Sequence, residues 1–150
     1  MAPRLRVLPP VLAAGLVLAA WGAGRLAPTA PWIRFPWSLL GLAPAALGAG
    51  LAGWAIARFS RRGTTHHPFG EPTALVVEGP FRFTRNPMYL GLTLVLLGIG
   101  LLAGTAPFLL APAAFALWIH LLQIPGEEAV LARLFGDPYE VYRRRVRRWL

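Results

Sequence analysis

Two short polar runs carry most of the hydrogen-bonding chemistry in this chain. The first, GPFRFTRNPMYLG at residues 79–91, sets Arg82, Arg85, Asn86 and Tyr89 at the start of a long apolar stretch. The second, at residues 126–128, places Glu127 and Glu128 at the far end of the same stretch. Read alone, the first run is equally a basic anchor with an aromatic-belt tyrosine, and the second an ordinary acidic helix start. Neither reading requires Asn86. If the intervening stretch folds as a hairpin, its two ends meet, and Asn86, Tyr89, Glu127 and Glu128 form a rim pocket suited to a cationic or zwitterionic ligand.

The elements that must position these groups are set by composition. Of 150 residues, 56% are hydrophobic and 14% charged, which is a membrane protein's balance. Charge-free stretches run over residues 7–24, 38–57 and 86–126. The last is long enough for two spans at ~20 residues each. Its turn is expected at Gly104, Thr105, Ala106 and Pro107, where Gly ends one helix and Pro suits the first turn of the next. The expected fold is an all-α integral membrane protein of four transmembrane helices, the third and fourth forming the hairpin. So short a polar turn also suits a hairpin that is re-entrant or shorter than the bilayer. Residues 1–57 then hold two scaffold helices, and residues 58–150 hold the loop, hairpin and tail. The basic start and apolar run of the first segment imitate a secretory leader, but three further apolar segments favour a retained span.

Every one of the fifteen basic residues is arginine. Four spans place thirteen of them on one side and only Arg25 and Arg34 on the other, so both termini and the pocket are expected in the cytoplasm. The basic residues flank spans and form no nucleic-acid reading module. With no cysteine and three histidines in no metal-binding spacing, a metal site is not expected. His120, inside the fourth segment, reads as hydrogen-bonded packing.

Smaller features complete the expectation. Gly48 with Ala52, and Gly50 with Trp54, offer small helix faces for close contact, which also permit a homodimer. The linker from Arg25 to Trp37 reads as an ordered interfacial loop, with Trp32 and Trp37 at headgroup level. Residues 73–77, TALVV, read as an extended segment packed on helix ends. Two short cytoplasmic amphipathic helices follow Gly126: one stops at Gly136, and the other uses Asp137 as cap, Pro138 at its first position and Glu140 in a capping box. Tyr139, Tyr142, Val146 and Trp149 would share one face of that last helix, lying on the membrane surface.

Residues 79–91 and the segment EEAVLARLFGDPYEVYRRRV together resemble the isoprenylcysteine carboxyl methyltransferase and phospholipid methyltransferase family over roughly residues 64–150. The resemblance implies an integral membrane methyltransferase that uses S-adenosylmethionine in a cytoplasmic pocket and takes a lipophilic or small acceptor from the bilayer. It further implies cofactor contacts at Thr73, Ala74, Leu75, Val76, Phe81, Asn86, Pro87, Met88, Tyr89 and Glu127, with His66 as an upstream contact and Arg85 structural or cofactor-facing. Two positions depart from the family. Asn86 stands where many members have histidine and cannot titrate near neutrality. Gln123 stands at a substrate-binding arginine position and is a weak partner for a prenylcysteine carboxylate. The alternative function is a non-catalytic membrane scaffold that keeps the fold and binds lipid or a partner.

Overall fold

The computed structural model describes residues 7–61 and 73–150. Among these residues six α-helices follow one another: α1 (Pro9–Leu26), α2 (Leu42–Arg61), α3 (Pro87–Ala103), α4 (Ala106–Trp118), α5 (Ile124–Phe135) and α6 (Asp137–Arg145). No strand occurs among the described residues. Among the described residues, three helical segments are long and apolar enough to cross a bilayer: Pro9–Leu26, Trp37–Arg61 and Ala106–Phe135. The apolar α3 has 17 residues, about 25 Å at the α-helical rise, and falls short of the ~30 Å hydrocarbon core. Leu18, Leu47, Leu110, Leu117, Leu121 and Leu122 point outward and exposed, as lipid-facing side chains do.

In lipid, apolar side chains gain little by leaving one apolar surroundings for another, so helix pairing depends on close backbone approach. The α2–α3 seam shows how this is met. A Cβ built on Gly48 would collide with the Gly91 carbonyl, and one on Gly41 with the Gly98 carbonyl. The two glycine pairs repeat at seven-residue spacing in opposite chain directions, so α2 and α3 pack antiparallel. Gly48 and Ala52 thus face α3 of the same chain, while a Cβ on Gly50 would meet nothing within 4 Å.

The expected hairpin turn is present. Gly104 ends α3 with φ 68°, a left-handed conformation that favours glycine, and α4 begins at Ala106 with Pro107 in its first turn. The Gly104 carbonyl accepts from the backbone N–H groups of Trp32 and Ile33 at 2.7 and 3.2 Å, tying the interfacial loop to the hairpin tip. Trp32 and Trp37 stay exposed.

Beyond the hairpin the expectation needs correction. No new helix starts after Gly126. Instead α4 passes through a π turn, Ile119–Gln123, into α5, where the Ile124 N–H reaches the Ile119 carbonyl. Pro125 explains the widening: it lacks the N–H owed to Leu121 and its ring would clash there in a regular helix. Asp137 likewise forms no capping box. Gly136 is the cap, its carbonyl accepting from Tyr139 and Glu140 N–H groups at 3.1 and 3.2 Å, and Glu140 pairs with Arg143 instead at 2.8 Å. The tyrosine face of α6 is not a membrane face either. Tyr139 and Tyr142 are buried with Ala55, Val76 and Phe81. The helix ends at Arg145, so Trp149 leaves that face and packs against a second cluster around Tyr89, Leu96, Phe115 and Ile119.

Residues 73–77 form neither helix nor strand, and Val76 is buried on the helix ends, as extended packing requires. Tyr142 pins this region by donating from its hydroxyl to the Phe81 carbonyl at 2.8 Å. Burial pushes the phenols of both Tyr139 and Tyr142 above their ordinary range, so both remain neutral.

Gly91→Ala should overpack the seam and lower stability by about 1–3 kcal/mol, read as a fall in the thermal midpoint in detergent, whereas Gly50→Ala should not lower it. Equal midpoints for the two variants would contradict the seam. Tyr142→Phe, which strands a buried carbonyl, should cost about 1–3 kcal/mol and speed amide hydrogen exchange across residues 75–83; unchanged exchange there would remove the pin.

Candidate active site

The cluster is assembled at the end of the bundle where α2 stops, α3 starts and α5 begins. Pro87 opens α3 from a buried position. Its rigid ring suits a first helical turn and directs Tyr89, also buried, toward α5. The Tyr89 hydroxyl donates to Glu127 Oε1 at 2.5 Å, joining residues 38 apart in sequence. From one helical turn upstream, Gln123 Nε2 donates to the same oxygen at 2.9 Å. Gln123 is 6% exposed, so its amide serves Glu127 rather than the bulk solvent. A half-buried carboxylate at the end of an apolar bundle is stabilised by such donors.

Glu128, one residue on, faces a different set. Its Oε1 lies 3.0 Å from Arg85 Nη1, and Arg148 grips both oxygens, with Nε at 3.1 Å and Nη2 at 2.6 Å. The Arg85 and Glu128 side chains are 12% and 14% exposed, which sets this pair apart from Arg143–Glu140 at 49% and 34%. An exposed pair of the latter kind contributes ~0–1 kcal/mol; the buried one is strongly felt when a partner is removed. Its two-pronged hydrogen bond to Glu128 holds the Arg148 guanidinium charged more firmly than usual. Arg85 Nη1 also donates to the Tyr139 hydroxyl at 3.3 Å, which ties the Glu128 pair to α6. Its Nε is buried and has no hydrogen-bond partner among the described residues.

Asn86 lies just before α3 but does not cap it with its side chain. Its Nδ2 donates to the Arg148 carbonyl at 2.9 Å, and its backbone N–H to Thr84 Oγ1 at 3.2 Å. The Thr84 hydroxyl donates in turn to the Arg148 carbonyl at 3.2 Å.

The remaining site expectations sort by cluster. Tyr89, Glu127 and Gln123 come together directly, and Asn86 joins the neighbouring Arg148 network. Leu75, Val76, Phe81 and Met88 belong to the other apolar cluster, where Phe81 meets Phe59 edge-on at 5.2 Å. Thr73 is exposed and Ala74 partly so. His66 lies outside the described residues. His120 accepts from Trp149 Nε1 through Nδ1 at 3.1 Å, in keeping with hydrogen-bonded packing. Sequence reasoning missed the contributions of Thr84, Tyr139, Arg148 and Trp149. For Arg148 and Trp149 the only available signal was a tryptophan closing an arginine-rich tail, which read as surface charge.

The arrangement offers a carboxylate with two donors, a charged guanidinium network beside it and an apolar hairpin behind it. That combination can hold a small charged ligand next to a lipid-accessible wall.

Comparison with known proteins fits this chemistry. A family model described as phospholipid methyltransferase matches residues 37–138, which include both polar runs. An uncharacterized protein of Haemophilus influenzae is 44% identical over 63 residues, 42% of this chain and the whole of that protein. The protein-S-isoprenylcysteine O-methyltransferase of Schizosaccharomyces pombe is 38% identical over 73 residues, 48% of this chain but 30% of that protein's length. No solved structure matches the chain. With more than half of its length matched, including Tyr89, Gln123, Glu127 and Glu128, the chain belongs to the phospholipid methyltransferase family.

Proposed function

We propose that this chain is an integral membrane methyltransferase that uses S-adenosylmethionine and methylates a lipophilic or small acceptor reaching the site from the bilayer. The observation that supports it is the Tyr89–Glu127 hydrogen bond at 2.5 Å, which brings the two family motifs to one place. The arginine asymmetry favours a cytoplasmic site with both termini on that side, where a water-soluble cofactor has access.

The residues fit such a cofactor. Glu127 supplies an anionic carboxylate for a cationic ligand, and Arg85 Nε is a buried donor without a partner among the described residues, suited to a carboxylate or hydroxyl oxygen. Bound there, S-adenosylmethionine supplies a methyl group already activated on a sulfonium. The chain's own work is then positional: to hold an acceptor in line and exclude water. Tyr89 and Gln123 fix Glu127, Arg85 and Glu128 fix the start of α5, and the outer faces of α3 and α4 meet the apolar acceptor. Asn86 is a hydrogen-bond donor to Arg148 and supplies no titrating base, so the acceptor must arrive as a competent nucleophile. Gln123, neutral and directed at Glu127, disfavours a prenylcysteine carboxylate and favours a smaller or uncharged lipid-like acceptor.

Glu127→Gln and Tyr89→Phe should each weaken S-adenosylhomocysteine binding in detergent about tenfold or more, the scale of a hydrogen bond to a charged group. Calorimetric affinities unchanged in both would sink the assignment. Membranes incubated with methyl-labelled cofactor should place label in phospholipid, protein or a small volatile product, which identifies the acceptor. No label anywhere, with no thermal shift at saturating S-adenosylhomocysteine, would support the non-catalytic scaffold instead.

A further inference from the structure

We infer that Arg148 is a positioning residue for methyl transfer, acting through a C-terminal strap that holds the polar cluster in register. The inference rests on the reading of that cluster as the methyl donor's site. The strap follows the span matched by the family model, residues 37–138.

After α6 ends at Arg145, Val146 turns extended with φ −119° and ψ 131°, and the last residues run back across the bundle end. Three separate elements are fastened there. The Arg147 carbonyl accepts from the Arg85 backbone N–H at 2.9 Å. The Arg148 carbonyl accepts from Asn86 Nδ2 and Thr84 Oγ1, so the segment entering α3 is held at three points. The Arg148 guanidinium holds Glu128 on α5 through both oxygens. Trp149 reaches the π turn at His120, with the two rings stacked at 29° and 6.4 Å.

A tail that merely attracts anionic headgroups would leave its arginines in solvent, as Arg143, Arg144, Arg145 and Arg147 are. Arg148 differs from all of them. Its side chain is 30% exposed and ion-paired with a carboxylate that is itself 14% exposed, while its backbone carbonyl accepts two donors from residues 84–86. One residue therefore ties the α3 entry to the α5 start. Those are the two elements that present Tyr89 and Glu127 to each other. The side chain of Glu127 and that of Glu128 leave the same turn of α5, so fixing Glu128 fixes the rotation at which Glu127 meets Tyr89 and Gln123. Arg148 does not touch Tyr89 or Glu127 in this network; its effect passes through Glu128 and Asn86.

The test uses the full chain in detergent and S-adenosylhomocysteine as probe. Affinity is measured by calorimetry at a temperature where each variant is folded, alongside its ligand-free thermal midpoint. Arg148→Ala should weaken binding about tenfold or more, the cost of a small misplacement at a site. Arg148→Lys should recover part of that loss, keeping a point charge without the two-pronged fork. Arg144→Ala, at an exposed position on the same tail, should bind as wild type. A purely structural arginine would lower the midpoint of Arg148→Ala and Arg148→Lys while leaving the affinity of the folded protein unchanged, and that result would overturn the proposal. If Arg148→Ala does not fold, wild-type affinity in Arg148→Lys overturns it just as well. Failure of the wild type itself to bind would instead overturn the reading of the site, and this role with it.

Discussion

A carboxylate at the buried end of an apolar bundle is costly unless charge and hydrogen bonds surround it, and this chain places two of them side by side. Glu127 and Glu128 meet the constraint in different ways. Glu127 accepts from the neutral donors Tyr89 and Gln123, while Glu128 sits between Arg85 and Arg148. The Tyr89 and Gln123 hydrogen bonds orient the first carboxylate toward α3. Two guanidiniums more than offset the second, so Glu128 becomes a fixed anchor. The α3 entry, the α5 start and the C-terminal strap are all placed by that division.

The anchor works only because the helices beneath it are set rigidly. In a bilayer the α2–α3 contact has no hydrophobic drive and depends on backbone proximity. The Gly41–Gly98 and Gly48–Gly91 crossings supply it. Gly100 extends the principle to α4, since a Cβ there would lie 2.8 Å from the Phe108 carbonyl. Small residues on α3 thus seat it between two neighbours, and Tyr89, two residues inside its first turn, inherits that placement. The π turn adds the complementary adjustment on the other side. By inserting extra helix before Pro125, it sets the angle at which Gln123 and Glu127 face α3.

What the residues disclosed in advance followed from local rules. Gly104 and Pro107 marked the hairpin turn because each has a backbone preference that acts without tertiary context. The meeting of Tyr89 with Glu127 followed from the length of apolar chain between them. Long-range contacts to backbone atoms left no such trace: the Arg148 carbonyl that collects Asn86 and Thr84 is an atom every residue has. The tyrosines of α6 were misplaced for a related reason. Periodicity identifies an apolar face but not its partner, and Phe81 with Ala55 covered Tyr139 and Tyr142 where a membrane surface was expected. The π turn was equally hidden, since Pro125 announces a disturbance in a helix without saying whether it kinks, ends or widens.

Asn86 brings these strands together. At a position where many family members have histidine, its role here is geometric: an N–H directed at the Arg148 carbonyl. A neutral imidazole also carries one N–H donor, so either residue can fasten a backbone carbonyl at this point, and only the capacity to titrate separates them. Donation to a carbonyl needs no proton exchange. Transfer from an activated methyl donor needs little of it either, because the leaving group departs as a neutral sulfide and the acceptor alone must supply an electron pair. Under the proposed function, an amide is therefore sufficient where the polar cluster's task is alignment, and the acceptors it allows are those that are nucleophilic without help from this residue.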